Sequence, residues 1–480
     1  MRPHSSKRQR GQSGIVIPMT AVLLTVIVPL IGLGIDASIL YAIRTKMSAA
    51  CDAAALAGAR SLARGSNDAT QVANAQAIAE QYMQLNFPAG YFGAPAPTVP
   101  TPTVDESVSQ QRSVTVSASL AAPTFFMNWL GVSSVTINNT ATAVRRDINV
   151  VLVMDTSGSL SLTNSCGPLK TAAVDFVNQF SEGRDEVGLV TFAGGSESYP
   201  GIQYPLSTSF STMTTTINAI TCTGGTSTAL GLYNGYQALL ALNEPAALNA
   251  ILLFTDGYPT DITTTFPHNT GDGDSCEAPS TNSNQTLYQP SPGGTAMIGA
   301  TLETTYSVGD PSNPATWTPV GWTGLYQPNV YSSDTTIGSN GHCTFGNNTG
   351  EVASIPATDP NYSYLSMVDN QYQPVTYKSG STTQLTLNET NLLNGSVNEA
   401  DSMAYHIRTQ TALPNMMMYS IGLGNAGGVP ADFLERVAND PRASNYNASY
   451  PVGEYIPANN SADLEQAFLQ IASEMLRLAK

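Results

Sequence analysis

Charge is what this sequence has least of. Only 11% of its 480 residues are Asp, Glu, Lys or Arg, against about 25% in an average globular protein. Ser, Thr, Asn and Gly take their place. Positive charge is the scarcer sign: 19 basic residues face 35 acidic ones, for a net charge of −16. Four of those basic residues (Arg2, Lys7, Arg8 and Arg10) lie among the first ten positions. An acidic body of this kind argues against nucleic acid as a partner. Histidine is limited to His4, His268, His342 and His406, and no H-E-x-x-H pair exists. No G-x-S-x-G and no phosphate-binding glycine loop is present either, which removes the usual signatures of a hydrolase. There are five cysteines and no C-x-x-C, so a zinc ribbon is not expected.

Against that background one apolar run stands out. Ile15 to Ile35 carries no charge over 21 residues. As a helix it would be about 31 Å long, close to the hydrocarbon thickness of a bilayer. Pro18 and Pro29 are easier to keep in a membrane helix than in a soluble one. A cleavable signal peptide is the alternative, but the run is long for one and no clear A-x-A site follows. We therefore expect an uncleaved signal-anchor. Four basic residues precede the span, and only Arg44 and Lys46 follow closely. That bias leaves residues 1–14 in the cytoplasm as a basic tail. The chain then crosses the inner membrane once, and its large C-terminal body faces the exported, periplasmic or extracellular side. Cys166, Cys222, Cys276 and Cys343 lie in that body. In an exported context they allow two disulfides in three pairings, with buried free thiols as the alternative.

Residues 36–146 read as a helical stalk and a small α+β unit. The helix continues from Asp36 to Arg64, with a small-residue stripe at Ala50, Ala54 and Gly58. The stripe suits close helix contact, or simply reflects the helix preference of alanine. Gly65 to Asp68 breaks the helix, and a second one runs from about Ala69 to Leu85. A Pro-rich linker spans Phe87 to Pro102. Alternation at Val114, Val116, Ala118 and Leu120, and again from Val135 to Ala143, predicts two half-buried strands. Between them Thr124 to Gly131 (TFFMNWLG) reads as a short apolar helix whose aromatics belong to the core.

The start of the chain resembles the TadE/TadG-like family of Flp pilus-assembly proteins. The resemblance rests on Arg10-Gly11, Gly34-Ile35-Asp36, Tyr41, Arg44 and the block Asp52 to Ala59. It implies a role in a pilus or secretion system. No Glu stands five residues after Gly14, unlike pilin segments that are cut there, so the segment is expected to stay as an anchor.

Residues 147–480 alternate strand and helix patterns. Asn149 to Met154 is a continuous apolar run, as a strand buried on both faces should be. Glu186–Phe192, Ile251–Phe254 and Met416–Gly422 read as further strands, with helices over Leu169–Phe180 and Thr228–Leu242. The pattern predicts an α/β fold, Rossmann-like and doubly wound around a parallel sheet. Ligands in such folds bind at strand C-terminal ends. Asp155-x-Ser157-x-Ser159 and Asp256 fall at two such ends, and Gly224-Gly225-Thr226 supplies a hydroxyl from a glycine-rich loop. Two carboxylates and three hydroxyls form an all-oxygen donor set. That set suits a hard cation: Mg²⁺ first, with Mn²⁺ or Ca²⁺ as alternatives.

In all three segments and in their order, this set resembles the metal-ion-dependent adhesion site of von Willebrand factor type A (vWA) domains. The resemblance implies that Ser157, Ser159 and Thr226 touch the metal directly and that Asp155 and Asp256 act partly through water. It also implies a protein partner that presents a carboxylate. Arg184–Val190, Ile421–Gly424, Phe433–Ala438 and Asp463–Phe468 extend the likeness. It is interrupted by about 130 residues, 263–394, too many for a structureless loop in a compact domain. An ordered β-rich insert is expected there, rising from the metal face. Asp272 and Asp274 within it read as a solvated turn. Cys166 and Cys222 flank the site, so we expect them to pair, leaving Cys276 to pair with Cys343. The function expected is a membrane-anchored binding protein of a pilus or surface-assembly system. The alternatives are an adhesin acting through its insert and, less favoured, a metal-assisted hydrolase.

Overall fold

An uninterrupted apolar sequence leads into one long helix, α1 (Val16–Ser61). The computed structural model describes residues 16–62, 68–194, 202–267, 296–307, 318–326, 343–346, 352, 354–360, 362–368, 384–424 and 431–479. Contacts divide the chain into two compact units, Met1–Arg145 and Arg146–Ala479.

In the first unit, α1 is long and apolar enough to cross a membrane. It is followed by α2 (Asp68–Asn86) and strands β1 (Thr103–Asp105), β2 (Gln111–Pro123) and β3 (Ser134–Arg146). The strands form one sheet in the order β1-β2-β3. On β2 alternate residues are buried, with Val114, Val116, Ala118 and Leu120 facing the core. The stripe Ala50, Ala54 and Gly58 is buried as well. A Cβ on Gly58 would lie 3.1 Å from the Ala79 Cβ of α2, so close helix contact explains the stripe. The TFFMNWLG segment departs from expectation. Only Met127–Leu130 is helical, as one 3₁₀ turn, and two of its three aromatics, Phe125 and Trp129, are not core. Phe125 is 50% exposed and Trp129 is 84% exposed. Hydrophobic residues do not periodically alternate here, so their apolar character alone could not say which side they face.

The second unit begins with β4 (Ile148–Asp155), α3 (Gly158–Leu162), α4 (Cys166–Val177), β5 (Glu186–Phe192), β6 (Ile202–Ser207), α5 (Ser211–Ala219), α6 (Thr228–Leu242) and β7 (Leu248–Thr255). The insert contributes β8 (Asp261–Pro267), β9 (Ala296–Ser307), β10 (Thr318–Tyr326), β11 (Cys343–Gly346) and the short pair β12 (Ile355–Pro356) and β13 (Gln384–Leu385). The chain returns through α7 (Glu389–Thr409), β14 (Met417–Leu423), α8 (Ala431–Ala438), β15 (Tyr455–Ala458) and α9 (Leu464–Leu478).

The main sheet has the order β15-β14-β7-β4-β5-β6. Its pairings are parallel except β5 with β6, which is antiparallel, so the sheet is mixed rather than wholly parallel. Central strand β4 is buried along its whole length. Its Val150, Leu152 and Met154 face a core with Leu169, Phe176 and Phe468. Its Val151 and Val153 face another with Leu239, Met403 and Phe433. Helices therefore cover both faces, which is why the strands read as continuous apolar runs. The insert is β-rich: an antiparallel sheet in the order β11-β10-β9-β8. Ile262, Phe266, Leu302 and Ile355 form its core with Met367 and Leu392.

Candidate metal centre

The order of the central strands places two carboxylates together. β4 and β7 are parallel neighbours, so Asp155 at the end of one strand and Asp256 just past the other emerge side by side. Ser157 holds the N-cap position of α3, yet its side chain makes no capping bond. Its hydroxyl instead lies 2.9 Å from the Ser159 hydroxyl, and Ser159 donates to Asp256 Oδ1 at 2.7 Å. Asp155 Oδ1 accepts from the Ser157 N–H at 2.8 Å.

Thr226 reaches the site on the glycine loop. Gly224 has φ of +89°, which favours glycine. Its carbonyl accepts from the Gly158 N–H at 2.8 Å, and the Thr223 N–H donates to Thr156 O at 2.7 Å. These two bonds tie the loop along the D-x-S-x-S turn. The Thr226 N–H donates to Thr260 Oγ1 at 2.9 Å. All five expected residues are thus held by one connected set of loops, with Ser159 half-buried and the other four buried.

Two further residues support the site without having been singled out in sequence. Thr255 donates to Asp155 Oδ2 at 2.6 Å. Its signal was present, since a threonine directly before Asp256 ends a buried strand. Thr260 holds the Thr226 backbone. Cys166 and Cys222 form a disulfide, which joins the start of α4 to the glycine loop. The pairing expected for Cys276, and the turn at Asp272 and Asp274, lie outside the described residues. Cys51 is a buried free thiol.

The electrostatics favour a cation. Burial raises the Asp155 carboxyl, against the hydrogen bonds from Thr255 and Ser157 that lower it. Burial and the adjacent Asp155 charge push Asp256 up to about 8. Among the described residues no Lys or Arg pairs with either. Nor do three His, Cys, Asp or Glu side chains converge as a metal cluster among them. The donor set is instead two carboxylates with hydroxyls, and it fits a hard divalent ion. Such an ion would supply the positive charge that two buried carboxylates lack.

A second carboxylate pair borders the first. Asp261 on β8 and Glu303 on β9 are cross-strand partners. A Cβ on Gly225 would lie 2.6 Å from Asp261 Oδ1 and 2.8 Å from Glu303 Cδ. Burial raises both groups, and Glu303 raises Asp261 further. The insert is therefore packed directly against the loop that carries Thr226. Because Asp261 and Glu303 are far apart in sequence, no local motif pointed to them.

Comparison with known proteins agrees with both resemblances. A family model described as von Willebrand factor type A domain matches residues 150–258. Another, for the Flp pilus-assembly TadE/G-like family, matches residues 14–61. No curated protein matches. Similar solved structures include the pilus adhesin SpaC from Lactobacillus rhamnosus GG, at 12% identity and a TM-score of 0.37. That match covers 80% of this chain and 34% of SpaC, so the chain spans about a third of that protein. The vWF domain of the type V pili tip protein Mfa5 from Porphyromonas gingivalis is 15% identical, with a TM-score of 0.36. Here the match covers 70% of this chain and 98% of that one. The chain thus carries a vWA domain behind a TadE/G-like segment.

Proposed function

We propose that this protein is a membrane-anchored component of a pilus or surface-assembly system that grips a partner protein through a divalent cation. Asp155, Ser157, Ser159, Thr226 and Asp256 would hold the ion, Mg²⁺ in the first instance. One observation carries this reading: two buried carboxylates lie together with no cationic side chain against them among the described residues, and a serine hydroxyl chain leads from Asp256 through Ser159, which is half-buried, to Ser157. With only two formal negative charges and neutral hydroxyls around it, a bound ion stays electrophilic. It therefore suits a carboxylate presented by the partner. The chain's own residues orient the donors: Thr255 fixes Asp155, Thr260 fixes the Thr226 backbone, and the disulfide holds the glycine loop.

The TadE/G-like segment and α1 support a single-pass anchor in the inner membrane. The basic tail supports a cytoplasmic N-terminus, and the disulfide supports an exported vWA domain. The role is binding rather than catalysis. A second reading has its own support, because the insert's Asp261 and Glu303 border the site: the insert itself would make the partner contacts.

One experiment separates the two. The detergent-solubilised full chain is used to recover partners with Mg²⁺, with EDTA, and as the Asp256→Ala variant. Loss of the same partner in both latter arms is expected. Retention in both would assign recognition to the insert.

A further inference from the structure

The most exposed aromatic group of the first unit sits at one end of the membrane span. The carboxylate of Asp36, the first charged residue after the apolar run, is buried. It accepts from the backbone N–H groups of Phe125 and Phe126, each at 2.9 Å, and of Met127 at 2.6 Å. One helical turn earlier, a Cβ on Gly32 would lie 2.5 Å from the Phe126 ring. Gly32 and Asp36 are the first buried positions described on α1; residues 18–31 before them are all exposed. The segment is closed on itself by the Val132 N–H donating to Met127 O at 3.1 Å and by the Thr124 hydroxyl donating to Val132 O. Its outward side chains are Phe125, Trp129, Leu130 (67% exposed) and Val132, with Asn128 as the one polar group among them. No charged residue occurs from 113 to 144.

We propose that residues 125–132 form an interfacial foot that enters the headgroup–acyl boundary of the bilayer which α1 crosses, on the side where the body lies. The proposal rests on the anchor reading of α1. A soluble surface would leave Trp129 and its apolar neighbours in water at a cost in hydration free energy. At a membrane interface, an indole with a polar N–H and an apolar body is well placed. Tethering to Gly32 and Asp36 sets the foot at the level where the span ends. A helix alone can slide and tilt to match the bilayer. A helix with a side foot pinned by three backbone hydrogen bonds has its depth and rotation fixed.

The test uses the full-length chain in phosphatidylcholine–phosphatidylglycerol vesicles, with Trp317→Phe and Trp322→Phe so that Trp129 is the sole tryptophan. Lipids brominated near the headgroup should quench its emission roughly two-fold, and aqueous iodide should not, since an indole prefers the boundary region. A control chain carries Trp129→Phe and Leu24→Trp in the same background, and deeper bromines should quench it. If the Leu24→Trp probe is quenched and Trp129 is open to iodide, the foot is overturned while the anchor stands. Should neither bromine nor iodide reach Trp129, protein covers it, and the foot is again overturned. If the Leu24→Trp probe is itself unquenched, the anchor reading fails and takes the foot with it.

Discussion

The two ends of the central sheet bury carboxylates in opposite ways. At the starting end of the strands, Asp185 accepts from the backbone N–H groups of Ile148 at 3.0 Å and Ser181 at 2.8 Å. Asp147 beside it pairs with Arg184 at 3.0 Å. At the finishing end, Asp155 and Asp256 are just as buried; Asp155 also accepts the Ser157 N–H, but its charge raises Asp256, which accepts from the Ser159 hydroxyl. The first arrangement is complete in itself. A carboxylate that accepts well-placed N–H bonds or meets a guanidinium loses little on burial. The second brings two carboxylates together with no Lys or Arg against them among the described residues. Burial alone therefore does not set the candidate site apart; what differs from Asp147 is the lack of a matching charge among the described residues.

Four measurements break or sharpen this contrast. The largest effect is expected from Asp185→Ala, which strands two buried N–H donors at about 1–3 kcal/mol each. Urea unfolding should show that loss with or without divalent ions. Asp256→Asn should behave differently. In EDTA it should be no less stable than the parent. The parent should gain about 2.7 kcal/mol from Mg²⁺ at a hundred times its dissociation constant, and the variant none. Equal gains in both would remove the finishing end's claim to a cation.

The third measurement is the pH dependence in EDTA. Asp256 is raised from 3.8 to about 8 in the fold. The unfolded chain then gives up its proton first, so folding stability should fall as pH rises between about 4 and 8. Mg²⁺, which binds the ionised form, should flatten that slope. A cation-free chain that is more stable at pH 8 than at pH 5 would contradict the assignment. The smallest effect belongs to Arg477→Ala. Its pair with Glu474 is solvent-exposed, and such pairs contribute below about 1 kcal/mol. It provides the baseline for a carboxylate paired at the surface.

Much of this candidate site is legible in the sequence. D-x-S-x-S and T-D-G each follow a run of apolar residues, and a parallel sheet delivers such run ends to one edge. The glycine loop is readable only through its order with the other two segments in the vWA resemblance, because Gly-Gly-Thr also occurs at Gly293-Gly294-Thr295. Less legible were elements without a strong pattern. β6 is a short edge strand with a proline, Ile202–Ser207, and its antiparallel direction follows from pairing rather than from composition. β1 has three residues, too few for any alternation. The TFFMNWLG segment departs from expectation because apolar content without periodicity does not fix which side faces the core. Its neighbours in space, Gly32 and Asp36, are about ninety positions away in sequence.

By itself the sequence determined the apolar span, the buried strands and which side chains carry oxygen donors. Each of these depends on residues adjacent in the chain, where spacing and polarity act directly. Only the tertiary structure decided that Asp261 and Glu303 press on the loop of Thr226, or that Asp36 ties down an exposed aromatic turn. Those pairings depend on strand order and helix packing. The energy that selects among packings is summed over the whole core, and it leaves no mark in any single stretch of sequence.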